Sequence, residues 1–182
     1  GAGYIGSHAV LELEKAGYDA IVLDNLVYGH LDLVESVFSS KLIIGNTGDR
    51  ELLDRIFSTH SIAAVIHFAA YAYVGESVSN PAKYYHNNVT STLTLLEAMV
   101  AANVKNIVFS STCATYGIPE TVPILENAPQ NPINPYGMTK LMSEVVLHDT
   151  ARAHGLRFVV LRYFNVAGAD PKMRTGQSTP QA

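Results

Sequence analysis

Charge is scarce in this 182-residue sequence: Asp, Glu, Lys and Arg make up 15% of it, and the formal net charge is −4. No cluster of Lys or Arg stands out, which argues against a nucleic-acid partner. No apolar run approaches the roughly 20 residues of a transmembrane helix, so no membrane partner is expected. Cys113 is the single cysteine, which rules out an internal disulfide and fits a reducing compartment. No secretory leader is visible, and the default address is cytoplasmic. No metal site is assigned. An initiator Met is lacking too. The chain opens on Gly1-Ala2-Gly3-Tyr4-Ile5-Gly6 and closes on the polar run Thr175 to Ala182. A turn of that kind should follow a buried strand, so the chain is expected to be an internal fragment with an apolar strand before Gly1.

What is present is a globular composition, 48% hydrophobic, in a chain long enough to bury a sizeable core. Apolar runs of β type alternate with helical stretches. Helices are expected from Ser7 to Ala16, Leu31 to Phe38, Asp49 to Thr59, Pro81 to about Asn103, and Tyr136 to His154. Strands are expected at Asp19 to Asp24, Leu42 to Ile44, Ala63 to Phe68, Asn106 to Ser111 and Arg157 to Phe164. Glu120 to Pro135 holds four prolines and reads as a loop. Continuous Val/Ile/Phe runs imply strands buried on both faces, and the intervening helices imply right-handed crossovers. The expected fold is a doubly wound, Rossmann-type parallel α/β sheet without its first strand. It is read as one NAD-binding domain over residues 1–182.

Two regions carry chemistry. Tyr136 and Lys140 stand four apart on a helix and so share a face. A free tyrosine is a poor base because its pKa is about 10. A fixed ammonium nearby would favour the phenolate. A hydroxyl from Ser110-Ser111-Thr112, at a strand end, would complete a device for taking a proton from an alcohol while a hydride leaves the same carbon. Taken alone, the pair also reads as a surface tyrosine beside a solvated lysine.

The second region is Gly3-Tyr4-Ile5-Gly6 leading into a helix, where the backbone can approach a pyrophosphate and free N–H groups favour an anion. The alternative is an ordinary tight turn. Asp24 ends the next strand about 20 residues on, where a carboxylate can accept both ribose hydroxyls. No Lys or Arg lies between Lys15 and Lys41, so nothing nearby would meet a 2′-phosphate, which favours NAD over NADP. Two further strand ends should face the same crevice, Gly45-Asn46-Thr47 and Phe68-Ala69-Ala70-Tyr71. His67 reads as a satisfied core histidine. Asn87-Asn88 sits where amides are poor helix formers, with one facing a polar ligand or both solvated. Cys113 reads as a small packing residue.

The motifs GAGYIGSH, LDNL, HFAAYAYVGESV, YYHNNV, FSSTCATYG, NPYGMTKLMSE and LRYFNVAGADP, in that order, resemble an extended short-chain dehydrogenase/reductase. Within it they closely resemble the UDP-glucose 4-epimerase family. The resemblance implies that Tyr136 is base and acid, that Lys140 tunes it and binds the nicotinamide ribose, and that Thr112 hydrogen-bonds the sugar hydroxyl. It implies NAD held by Gly3, Tyr4, Ile5 and Gly6 at the pyrophosphate, Asp24 and Asn25 at the adenosine ribose, and Asn46 and Thr47 at the adenine. Phe68, Ala69, Ala70, Asn87 and Phe164 would line the cofactor, and Thr112, Tyr136 and Asn165 would meet a UDP-sugar substrate. It also implies a homodimer when full length, with most of a substrate domain beyond residue 182. The chain departs from the family in Asn46 where Asp is frequent, Ala72 where many members have Lys, and Thr112 where Ser is common. Sugar-nucleotide dehydratases place Asp and Glu after the Thr; Cys113 and Ala114 here disfavour dehydration. The hexose and pentose UDP-sugars stay open, as do a net sugar-nucleotide oxidoreductase and a non-catalytic dinucleotide sensor.

Overall fold

The computed structural model describes residues 1–178. Two compact units divide it: residues 1–47 with the C-terminal stretch from Asn165, and residues 48–164. Every strand pairing is parallel, in a Rossmann-like α/β arrangement.

The first unit holds helix α1 (Tyr4–Lys15), strand β1 (Ile21–Asp24), helix α2 (Leu31–Val37) and strand β2 (Lys41–Ile44). β1 and β2 form a two-stranded sheet in which Asp24 stands level with Ile44. α1 starts three residues before the expected Ser7. Ser7 is an interior helical residue, whose hydroxyl donates back to the Tyr4 carbonyl at 2.8 Å. Gly6 is required by a close approach, since a Cβ there would lie 2.8 Å from the Gly1 Cα. Gly17, at φ 82°, ends α1 as expected.

The second unit holds α3 (Arg50–Thr59), β3 (Val65–His67), α4 (Val74–Ser79), α5 (Pro81–Tyr84), α6 (Ser91–Ala101), β4 (Asn106–Thr112), α7 (Pro135–His154) and β5 (Arg157–Tyr163). Its sheet runs β3-β4-β5. Asp49 caps α3 by accepting from the Leu52 N–H at 3.0 Å. Asn134 caps α7 through the Gly137 N–H at 2.8 Å, with Pro135 in the first turn and Gly155 in the left-handed conformation at the end.

Two features depart from the expectation. α4 is a helix that the sequence pattern did not assign. The long helix from Pro81 contains a π-helical segment, Tyr85–Thr90. There the Asn88 carbonyl accepts from the hydroxyls of Thr92 at 2.6 Å and Ser143 at 3.1 Å. Side-chain donors that take over a backbone carbonyl open the helical ladder.

The sheet of the second unit is closed mainly on one face. Thr92 of α6 reaches His67, and Glu144 of α7 reaches Ser111. His67, Phe109 and Ser111 share one side of the pleat, so both helices cover the same side. On the other side Ile66, Val159 and Leu161 are exposed, against the expectation of burial on both faces. Among the described residues, no helix is long and apolar enough to cross a membrane.

Candidate active site

In the second unit, the end of β4 and the start of α7 bring Tyr136, Lys140 and Thr112 together. Gly137 makes the approach possible, because a Cβ there would lie 2.7 Å from the Ala114 carbonyl oxygen. The Tyr136 N–H, unsatisfied within the first helical turn, donates to the Ser77 hydroxyl of α4 at 3.1 Å. α4 therefore helps to place the tyrosine.

Lys140 is 3% exposed. Its ammonium donates to the Ser110 carbonyl at 2.7 Å and lies 5.0 Å from the centre of the Phe109 ring. Burial pushes its pKa down to about 8, opposed by the carboxylate of Glu144. Burial raises the Tyr136 phenol, its hydrogen bond with Thr112 draws it down, and Cys113 adds to the rise. The Thr112 hydroxyl favours the phenolate, and the Lys140 ammonium lies one turn further along α7.

The strand end after β3 is held from below. Asn88, 2% exposed, accepts from the Tyr71 N–H at 2.9 Å and donates to the Tyr71 carbonyl at 3.0 Å and the Thr139 hydroxyl at 3.1 Å. It faces neither ligand nor solvent; it fastens the segment Phe68-Ala69-Ala70-Tyr71 to the helix that carries Lys140. Its neighbour Asn87, half-buried, donates to the Asn88 amide oxygen at 3.0 Å. His67 is a core histidine as expected, with Nε2 3.0 Å from the Thr92 hydroxyl. Phe164, just past β5, is exposed.

Sequence reasoning passed over the group that supports these residues. Glu144 is buried and forms an ion pair with Arg162 at 2.8 Å. It also accepts from Gln130 at 3.2 Å and from the Ser111 hydroxyl. Two signals were available. Glu144 lies one turn beyond Lys140 on the same face, and Arg162 is a charge near the end of an apolar strand, where it needs a partner.

In the first unit, Gly3, Tyr4, Ile5 and Gly6 form the turn into α1. Gly3 precedes the helix without a side-chain cap, and a Cβ on it would meet nothing within 4 Å. The first-turn N–H groups therefore have no side-chain cap, the condition under which a helix start can take an anion. Tyr4 is fixed by its hydroxyl donating to the Gly168 carbonyl at 2.7 Å. Asp24 lies at the same end of the unit. One carboxylate oxygen accepts from the nitrogens of Gly1 and Ala2, both at 2.9 Å, and the other from the Leu26 N–H at 2.9 Å. Asn25 accepts from the Val27 N–H at 3.1 Å, and Asn46 and Thr47 follow β2 beside Asp24. Asn165 belongs to this first unit. Among the described residues, no group of three or more His, Cys, Asp or Glu is placed to hold a metal ion.

The whole chain compares closely with known proteins. Residues 1–181 match the model of the NAD dependent epimerase/dehydratase family. A UDP-glucose 4-epimerase of Azospirillum brasilense is 53% identical over 182 residues, which are 100% of this chain and 52% of that protein. A protein of Arabidopsis thaliana named as probable UDP-arabinose 4-epimerase 3 is 47% identical over 98% of this chain and 45% of its own length. Among solved structures, UDP-glucose 4-epimerase from Brucella ovis in complex with NAD superposes with a TM-score of 0.95 at 48% identity, over 100% of this chain and 55% of that one. The chain spans about half the length of the relatives it matches.

Proposed function

The chain belongs to the NAD dependent epimerase/dehydratase family, and from that premise we propose that the whole protein is an NAD-dependent 4-epimerase of UDP-sugars of the UDP-glucose/UDP-galactose type. The observation that carries this reading is the set at the end of β4: half-buried Tyr136 beside buried Thr112, with the buried Lys140 ammonium one turn further on. An alcohol oxidised and then reduced at one carbon needs a group that takes a proton and returns it, and Tyr136 is that group. Thr112 supports the phenolate and shares the proton of the sugar 4-hydroxyl. Lys140, at about 8, keeps its positive charge at neutral pH.

The residues present fit NAD. The glycine turn into α1 has no side-chain cap and suits a pyrophosphate, the Asp24 carboxylate suits a ribose hydroxyl, and Asn25, Asn46 and Thr47 follow the ends of β1 and β2. Phe68, Ala69, Ala70, Asn87 and Phe164, with Lys140, would hold the nicotinamide end. Bound NAD would accept and return the hydride. Asn165 would meet the UDP-sugar. Cys113 and Ala114 supply no carboxyl beside Thr112, which sets the chemistry apart from dehydration. The NAD-binding domain over residues 1–182, the homodimer and the cytoplasmic address are parts of the same proposal.

UDP-arabinose is a second reading, favoured by the plant relatives at 46–48% identity. The full-length protein should convert UDP-galactose to UDP-glucose without added cofactor and without net NADH. A parallel assay with UDP-arabinose decides between the readings. Net NADH production in either assay would replace the epimerase with an oxidoreductase.

A further inference from the structure

Three successive turns of α7 meet three consecutive residues of β4. Lys140 donates to the Ser110 carbonyl at 2.7 Å, Glu144 accepts from the Ser111 hydroxyl, and Tyr136 stands where the Thr112 hydroxyl acts on its phenol. Residues 136, 140 and 144 are four apart and so stack on one helix face. Only the first two have a place in the proposed chemistry.

Glu144 is the most heavily anchored of the three. Its side chain is 3% exposed. Arg162 donates to it from Nη2 at 2.8 Å and from Nε at 3.2 and 3.3 Å, and Gln130 from Nε2 at 3.2 Å. Arg162 is itself fixed by the Tyr116 hydroxyl at 2.8 Å and the Glu126 carbonyl at 2.9 Å. Ser111 and Arg162 are register partners across β4 and β5, so Glu144 grips both strands at one level. A buried ion pair adds little stability over apolar packing of the same volume. One residue beyond this grip, β4 ends at Thr112 and the chain turns into a 3₁₀ segment, Cys113–Thr115.

We infer that Glu144 is a positioning residue for proton transfer: through Ser111 it fixes the end of β4, so that the Thr112 hydroxyl stays on Tyr136. This rests on the reading of Tyr136 as the proton-transfer group. The charged and titratable groups around the device are few. Thr112 and Cys113 act on Tyr136, and Lys140 is faced by Glu144 on its own helix and by His67 from β3. Glu144 is faced by Arg162.

The test uses the full-length enzyme with Ser111→Ala and Glu144→Gln. Ser111→Ala leaves the Arg162 pair intact and removes only the tie to β4. In both variants kcat should fall about 10-fold or more, since small misplacements of reacting groups have costs of that order, with KM for the UDP-sugar little changed. The acidic limb of the kcat–pH profile should move to higher pH, because Tyr136 loses the bond that draws its pKa down. Ser111→Thr, which keeps the hydroxyl, should restore both rate and profile. An unchanged kcat in Ser111→Ala, or a lower kcat with an unmoved acidic limb, would overturn the inference. Should Glu144→Gln fail to fold, Ser111→Ala decides alone. Tyr136→Phe serves as the control. Turnover retained there sinks the reading of Tyr136 itself, whereas turnover lost there with an unmoved Ser111→Ala profile sinks only the role of Glu144.

Discussion

Replacing Arg162 with Met would strand a carboxylate inside the second unit. Glu144 would keep Ser111 and Gln130 as donors and the Lys140 ammonium one turn away, but lose its ion pair. Breaking a buried pair by removing one member costs about 3–5 kcal/mol, and the two surviving donors place the expected loss near the lower end, about 3 kcal/mol at pH 7.5. Arg162, Ser111 and Gln130 hold the Glu144 carboxyl below its usual range against the opposing effect of burial. The wild-type pair therefore contributes stability that is present above the ordinary glutamate pKa of about 4.3 and is lost as pH falls through the lower folded value. In Arg162→Met burial dominates, the folded pKa rises above the unfolded one, and protonation relieves the cost. Urea unfolding of the full-length protein at pH 7.5 and pH 5.5 should show a deficit that shrinks at the lower pH. Arg162→Lys should fall in between, because an ammonium cannot reproduce the guanidinium fork. A deficit under about 1 kcal/mol, or one independent of pH, would refute the reasoning.

Burial, aided by Lys140, pushes the His67 imidazole down to about 3. Folding therefore excludes a proton that the unfolded chain binds below about 6.5, so stability from this residue is complete above that pH and is lost as pH falls towards 3, by about 2 kcal/mol between pH 6.5 and 5. His67→Phe should flatten that part of the curve in urea unfolding, and an unaltered slope would remove His67 as its cause. Asp24→Ala in the full-length protein should weaken NAD binding by about 10- to 100-fold, the worth of a charged hydrogen bond; unchanged affinity in calorimetry would remove Asp24 from the cofactor.

Much of this was legible from the order of residues. Strands β1 to β5 lie within about two residues of their apolar runs, because β-branched and aromatic residues favour the extended chain. α7 was legible to within one residue at its start, and its end from Gly155, whose role is local. What escaped depends on contacts distant in sequence. The π-helical segment comes from two hydroxyls, Thr92 and Ser143, converging on one carbonyl; Ser143 lies 55 residues away. Asn87-Asn88 reads as one amide facing a ligand or both solvated, and the burial of Asn88 escaped because its partners, Tyr71 and Thr139, are fixed only by tertiary packing. The Tyr136/Lys140 spacing was read correctly as a shared face, but spacing cannot show that the ammonium is bound to Ser110. Asp24 was placed at the glycine turn, and the Ala2 and Leu26 N–H groups that orient its carboxylate became visible only with the fold.

The central claim is that Tyr136 moves the proton of the sugar 4-hydroxyl. The most direct measurement is kcat of full-length Tyr136→Phe with UDP-galactose, alongside its bound NAD. The account predicts a loss of about 10²- to 10⁴-fold, the usual contribution of a positioned acid–base group, with NAD retained. Turnover within about 3-fold of the unaltered enzyme, less than any positioned acid–base group contributes, would contradict it.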